Sequence, residues 1–420
     1  MSRVIRGLVL SLSVLVIAYV AIGFVLAQAP GGEKPYRSLS VYSQVLSHIQ
    51  QDYVEDPDMP LVTTGALRGL LESLDAQSSY LSPREYADYK TRIADLPKGE
   101  VGAAITKRFG YVSIVSVLPD SPAMRAGIRG GDILENIAGF TTREMSIEQA
   151  HVLLAGVPGS IVKASVVRRG RSEPMEVELV RGVVGSTKLV TERIEGQPGN
   201  AGDAVAYLRV PSLGEGKAEE IRQQLVQFEK QGLRRLVLDL RECALGDISE
   251  GVATARLFLN AGTITVLKGQ TVSRQEFLAE ASKVAWKHPM VVLTSNGTAG
   301  AAEVVAAAIA GNQRAQAVGA RTAGTASQQR LIPLEDGAAI VLTVANYFTP
   351  SGTSIPAEGV TPTVAVDGDD LRNDFYGLIP PRDQDKVLTR ALEIVRGRAS
   401  DTPSKAAQKH DRGRVMPQAA

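Results

Sequence analysis

The chain is poor in the residues that most often carry chemistry. Its 420 residues include one cysteine, Cys243, and four scattered histidines, His48, His151, His288 and His410. A single thiol excludes an intramolecular disulfide. With no HExxH pair and no Cys/His cluster, no metal site and no cofactor are expected. A Ser-His-Asp arrangement would have to recruit a histidine that no motif marks, which pushes any hydrolase toward another base. Charge of one sign is also lacking: 46 Lys+Arg against 45 Asp+Glu leave a formal net charge of +1, so no global field steers the protein toward nucleic acid. With 44% hydrophobic and 22% charged residues, the chain as a whole is neither disordered nor a multi-span membrane protein.

At about 150 residues per domain the length predicts roughly three domains. Arg3 and Arg6 precede a 21-residue apolar run, Gly7 to Ala27, which is followed by Ala27-Gln28-Ala29 and Pro30-Gly31-Gly32. The run can span ~30 Å of hydrocarbon as a helix, and Ala-x-Ala is also what signal peptidase cleaves. Residues 1–30 therefore read as a signal anchor or a signal peptide. Either reading keeps the two arginines inside and puts the rest on the exported side of the inner membrane, periplasmic or otherwise extracytoplasmic, as an anchored or secreted protein. A lone cysteine suits an oxidising compartment, because it leaves nothing to mispair.

Residues 36–95 form a predicted helical region. Leu39, Tyr42, Val45, Leu46 and Ile49 recur at helical spacing, Asp56 to Pro60 interrupt, and a second helix presents Leu67, Leu70, Leu71 and Leu74. Ser82 then offers an N-cap with Pro83 at the first helical position. Residues 99–182 change to short β-rich runs punctuated by glycine, with one helix near Ile147 to Leu154. From 183 to 370 strands and helices alternate: Val205 to Val210, Lys217 to Gln231, Leu236 to Leu240, Glu250 to Leu259, Met290 to Thr294, Ala299 to Ala310. That alternation predicts an α/β layer with a largely parallel sheet, whose ligands bind at the carboxyl ends of the strands, after Leu240 and Leu293. Residues 371–420 carry a helix near Gln384 to Arg396 and a polar tail whose Lys and Arg read as solvated.

Two resemblances attach to these segments. The series Ser121-Pro122-Ala123, Ala126-Gly127-Ile128, Gly131-Asp132-Ile133-Leu134 resembles the PDZ domain of bacterial proteases. In that family a peptide carboxyl terminus adds a strand to a sheet edge, and a Gly-containing loop holds its carboxylate. The resemblance puts this loop at Val101, Gly102, Ala103 and Ala104. The bare alternative is that these residues only begin a strand. The rest resembles the carboxy-terminal processing proteases, the S41 serine peptidases: Gly69 to Pro83, the elbow Asn296-Gly297-Thr298-Ala299-Gly300-Ala301-Ala302-Glu303, the loop Thr322 to Gln329, and the turn Asp239-Leu240-Arg241. The implied fold is an α/β, mixed-sheet protease core with an inserted β-rich PDZ domain and an N-terminal helical region.

The same resemblance exposes three departures. The family elbow carries a serine nucleophile where this chain has Gly300. Its loop carries a lysine base where this chain has Thr325, and the glutamine is retained as Gln329. Its Asp-Leu-Arg-x-Asn-Pro-Gly-Gly turn, which helps to form the oxyanion hole, continues here as Glu242-Cys243-Ala244-Leu245-Gly246. A nucleophile reduced to hydrogen cannot form an acyl-enzyme, and a threonine is no base near pH 7. The expectation is an exported homologue without proteolytic activity that binds peptide or protein C-termini. Two alternatives stand beside it: an active serine-type endopeptidase with a rearranged site around Ser327 or Thr298, and a structural partner of an active protease paralogue. Cys243 is expected to be a buried thiol, and Ser295, Thr298 and Ser327 to be caps and loop ties.

Overall fold

The computed structural model describes residues 33–94, 99–108, 110–171, 173–185, 187–196, 203–366 and 377–397. The N-terminal apolar run, Ala29 and the polar tail lie outside the described residues. The chain divides into two compact units, residues 1–66 and 67–420. In the first, the predicted helix runs from Glu33 to Asp52. Leu39 and Val45 on it are exposed. A second helix, Met59–Glu72, crosses the boundary.

The second unit is organised around three sheets. Its central sheet orders Val364–Ala365, Gln316–Gly319, Met290–Thr294, Leu236–Asp239, Val205–Arg209 and Val190–Ile194 side by side. All pairings are parallel except the last. The runs Leu236–Asp239 and Met290–Thr294 are apolar without alternation because both faces of the sheet are covered. Leu236, Leu238 and Val292 pack under helices Lys217–Lys230, Ile248–Arg256 and Ala301–Gly311. Val237, Val291 and Leu293 pack on the other face against Val387, Leu388 and Ala391 of helix Lys386–Val395. Each such side chain contributes roughly 1.5–3 kcal/mol by leaving water.

The second sheet is antiparallel and was not foreseen from the sequence. Ala339–Phe348 is its centre, paired with Ser327–Pro333 and Thr263–Lys268, and Gln275–Leu278 pairs with Thr263–Lys268. Ser79–Leu81, inside the region expected to be helical, pairs with Ala339 to Val341. Leu81 is fully buried there, whereas Leu70 and Leu74 are exposed and do not join a helical core. The helix start at Ser82 is capped reciprocally: the Ser82 N–H donates to Glu85 Oε2 at 2.8 Å and the Glu85 N–H to Ser82 Oγ at 3.4 Å.

The third sheet is the inserted domain: Ala103–Arg108, Tyr111–Val117, Ile133–Ile137, Ile161–Val167 and Met175–Val180, all antiparallel. Gly99 bridges to Gly156 and Glu100 to Gly182, so the entry and exit of the domain are tied together. Ser121 caps the short helix Pro122–Arg125 by accepting the Met124 N–H. Asp132 is buried because Arg168 meets it through two nitrogens, Nε at 2.8 Å and Nη2 at 2.6 Å. These two interactions account for the Ser-Pro and Gly-Asp portions of the sequence motif.

Candidate functional site

Strand Met290–Thr294 turns through residues 295–300 into helix Ala301–Gly311, and the turn is stitched to the neighbouring strand end. Thr298 Oγ1 donates to the Leu240 carbonyl at 2.8 Å and accepts the Ser295 N–H at 3.0 Å. The Ala299 N–H donates to the Cys243 carbonyl at 3.0 Å. Ser295 Oγ donates to Glu242 Oε1 at 3.0 Å and accepts from the Gly297 N–H at 3.1 Å. Both hydroxyls are therefore spent on the framework.

Gly300 sits at the apex with φ 54° and ψ −114°, a backbone conformation that side-chain-bearing residues rarely adopt. A strand-to-helix elbow with such an apex lifts one position out of the sheet into a cleft, and glycine adopts it without strain. A Cβ built on Gly300 meets nothing within 4 Å, so the space for a side chain is open. The Gly300 N–H is shared between Glu303 Oε2 at 2.9 Å and Thr325 Oγ1 at 3.1 Å. Positions 300 and 325 are thus neighbours in space.

Glu303 is fully buried. Its carboxylate also accepts the Gly324 N–H at 2.6 Å, the Thr325 N–H at 2.8 Å and the hydroxyls of Thr322 and Thr325. Burial pushes this carboxyl above its ordinary range, against the pull of those hydrogen bonds. The Glu303 side chain is the post on which the elbow and the Thr322-to-Thr325 loop both hang.

Gln329 lies beside this pair. Its Nε2 donates to Ser327 Oγ at 2.7 Å and to Gln77 Oε1, while Gln77 Nε2 donates to the Thr325 carbonyl at 3.1 Å. Sequence reasoning missed Gln77, although it falls in the Gly69-to-Pro83 stretch; its distance along the chain hid it. Reasoning from sequence neighbours also missed Lys107. That residue borders a cavity of about 440 Å³ that Thr325 and Ser327 also line. Its Nζ donates to Glu72 Oε1 at 2.5 Å and to the Arg143 carbonyl at 3.4 Å.

The Asp239-to-Gly246 turn is anchored by buried charge. Arg241 Nη2 donates to Asp239 Oδ2 and to Asp385 Oδ2, both at 2.7 Å, and the Tyr207 hydroxyl donates to Asp239 Oδ2 at 2.7 Å. Burial alone would raise Asp239, but the Arg241 charge and the hydrogen bonds from Arg241 and Tyr207 outweigh it and hold the carboxyl below its ordinary range. Further along, Glu242 takes φ 56°, a left-handed conformation without glycine. Gly246 is indispensable as glycine, because a Cβ there would lie 2.3 Å from the Leu213 carbonyl oxygen. Cys243 is buried, and burial pushes its thiol up to about 12, which removes it as a nucleophile at neutral pH. Ala244 and Leu245 pack with Ala299 and Ala323 against Ala104 and Val115 of the inserted domain.

That contact places the inserted domain over the elbow. A cleft of about 340 Å³ is walled by Ala104, Ile105 and Thr106 of strand Ala103–Arg108, by Ile147, Glu148 and His151 of helix Ile147–Leu154, and by Ala244, Gly300, Thr325 and Gln329 of the core. Val101 and Gly102 precede that strand, Ala103 and Ala104 begin it, and the strand lies at the edge of its sheet. Gly102 has φ 73°, and a Cβ there would lie 2.5 Å from Ser121 Cβ.

Residues 204–366 match the model of peptidase family S41, and residues 113–168 match a PDZ domain model. Over 327 residues the chain is 32% identical to a carboxyl-terminal-processing protease of Picosynechococcus, covering 76% of each protein. The chain belongs to the carboxyl-terminal-processing protease family. A carboxy-terminal-processing protease of Bartonella bacilliformis is 29% identical over 343 residues, 80% of this chain and 76% of that one. The solved structure of the photosystem II D1 C-terminal processing protease is similar with a TM-score of 0.65 at 25% identity, covering 86% of this chain and 92% of the other. The fold is accordingly the mixed-sheet S41 core with a PDZ domain and preceding helices. Within this S41 core, the elbow position nearest the cleft carries no side chain. Its spatial neighbour is a hydroxyl already engaged with Glu303 and the Gly300 N–H.

Proposed function

We propose that this S41-family chain is exported, lacks proteolytic activity, and binds peptide or protein C-termini through its PDZ domain. One observation carries the reading: Gly300 and Thr325 meet at the apex of the elbow, where the family resemblance requires a serine and a lysine. Without an Oγ at residue 300 no acyl-enzyme forms, and loss of the nucleophile from a serine protease lowers kcat by about 10⁶. Candidates for a rearranged site are unfavourable. Thr298 donates to Leu240, Ser327 Oγ donates to Gln77 Oε1 at 2.9 Å, and Lys107 Nζ donates to Glu72 Oε1.

Peptide binding is supported by the edge position of strand Ala103–Arg108 and by helix Ile147–Leu154 beside the same cleft. Export is supported by Arg3 and Arg6 ahead of the apolar run from Gly7 to Ala27. The decisive test exposes the purified full-length protein to a fluorophosphonate probe and to an unfolded protein substrate. No labelling and no cleavage are expected; covalent attachment at Ser327 or Thr298 would replace this reading with an active enzyme. Protection of the C-terminal part from protease in intact cells, lost when the outer envelope is opened, tests the location.

A further inference from the structure

We propose that the peptide groove of the PDZ domain is completed by the protease-core elbow, so that an extended peptide with a free carboxyl end lies between strand Ala103–Arg108 and the Gly300–Thr325 wall, with Glu148 selecting a cationic side chain near that end. This rests on the peptide-binding reading above and specifies its ligand.

The geometry supplies the groove. Among the described residues strand Ala103–Arg108 pairs on one side only, with Tyr111–Val117, and so presents a second edge along which a backbone can add. Two cavities follow one another along that strand. Ala104, Ile105 and Thr106 line the first, of about 340 Å³. Thr106, Lys107 and Arg108 line the second, of about 440 Å³. Gln77 and Thr325 line both, so the core wall is continuous past them. At about 3.3 Å per residue the strand extends roughly 20 Å, the reach of a six-residue peptide. A peptide added antiparallel, with its carboxylate toward Val101 to Ala104, passes Gly300 near its end and Lys107 further upstream. The absent side chain at Gly300 leaves room for it, since nothing lies within 4 Å of the missing Cβ.

The charge of the first cavity supplies the selectivity. Among the described residues that line it, Glu148 is the single Asp, Glu, Lys or Arg. Its Oε2 accepts from Ser79 Oγ at 2.6 Å, which fixes the carboxylate in place. His151 lies on the same helix, three residues on, exposed and lining the same cavity; an imidazole, which ordinarily titrates at about 6.5, is mostly neutral at pH 7. In the second cavity Lys107 is matched by Glu72. A cationic peptide side chain opposite Glu148 gains an ion pair in a partly enclosed site, and an anionic one meets like charge.

The test uses the full-length protein and fluorescent alanine-based octapeptides carrying one Lys or one Glu at each of the last four positions, with free or amidated carboxyl ends. Free-carboxyl peptides are expected to bind, amidated ones to bind at least about tenfold more weakly, and the best Lys peptide to exceed its Glu counterpart by about tenfold. Glu148→Gln, which can still accept from Ser79, should erase the Lys-over-Glu difference. Gly300→Trp and, independently, Gln329→Trp should weaken every free-carboxyl peptide by about tenfold or more, with circular dichroism showing that at least one variant is folded. Undiminished binding by a folded tryptophan variant overturns the shared groove while leaving PDZ binding intact. A Lys preference that survives Glu148→Gln overturns the role of Glu148. No binding of any free-carboxyl peptide by the unaltered protein overturns both the peptide-binding reading and this one.

Discussion

Gly300→Ser combined with Thr325→Lys tests the proposed loss of chemistry separately from the state of the scaffold. Gly300→Ser places a Cβ where nothing lies within 4 Å, so the cost is conformational rather than steric. Holding a non-glycine residue at φ 54° costs about 1–3 kcal/mol, within the stability of a domain of this size. Thr325→Lys removes a hydroxyl that accepts from the Gly300 N–H at 3.1 Å, but that N–H keeps Glu303 Oε2 at 2.9 Å. The double variant should therefore fold. Its activity should stay below that of an intact family member, because the Cys243-Ala244-Leu245 turn replaces the Asn-Pro-Gly that the resemblance ties to the oxyanion hole. One lost oxyanion donor is worth about 10²–10³ in kcat, set against about 10⁶ for the nucleophile. The expected result is fluorophosphonate labelling confined to the double variant, with peptide cleavage roughly 10³-fold above the unaltered protein. Activity in the unaltered protein equal to that of the double variant would refute the reasoning. A folded double variant with no labelling would show that the altered turn alone suffices to silence the site.

Asp385→Ala leaves Arg241 with one buried partner and uncaps helix Lys386–Val395, where Asp385 Oδ1 accepts the Leu388 N–H at 2.9 Å. The loss should be about 3–5 kcal/mol, read as a Tm lower by roughly 10 °C in calorimetry. Because Asp239 is held below its ordinary range, its stabilisation is complete above about pH 4 and is lost as pH falls through the depressed value. Asp239→Asn should thus lose less Tm than the unaltered protein between about pH 4 and pH 2, and an equal loss would sink the argument. With the Cys243 thiol pushed up to about 12, iodoacetamide at pH 8 should leave the native protein unmodified and alkylate it only in denaturant, as mass spectrometry can read.

How much of this was legible in the sequence depends on the distance over which each signal acts. The parallel sheet was legible because strands such as Met290–Thr294 are covered on both faces and read as unbroken apolar runs beside amphipathic helices. The antiparallel sheet was not. In Ala339–Phe348 burial alternates only partly, and its partner Ser79–Leu81 is three residues long and lies some 260 positions away. The same limit governs the site. The elbow and the Thr322-to-Gln329 loop carry local motifs, whereas Gln77 and Lys107 reach the cleft only through tertiary pairing. Cys243 could be read correctly because a buried thiol needs no partner.

The elbow is held together chiefly by Glu303, so under the proposed function the fold would not depend on a Ser-Lys contact. Glu303 accepts the N–H groups of Gly300, Gly324 and Thr325, so the carboxylate, not a Ser-Lys contact, ties helix Ala301–Gly311 to the loop. Glu303→Ala would leave the Gly324 and Thr325 N–H groups without that acceptor at about 1–3 kcal/mol each, while the Gly300 N–H keeps Thr325 Oγ1, so a loss of several kcal/mol is expected. Thr325→Val removes one hydroxyl whose two hydrogen-bonded neighbours, Gly300 and Glu303, retain each other, and should cost about 1 kcal/mol. Chemical denaturation of the two variants distinguishes the cases. If Thr325→Val destabilised as much as Glu303→Ala, the hydroxyl at 325 itself would be holding the elbow, and Thr325 would have to be counted as a structural part of it rather than a side chain the scaffold can spare.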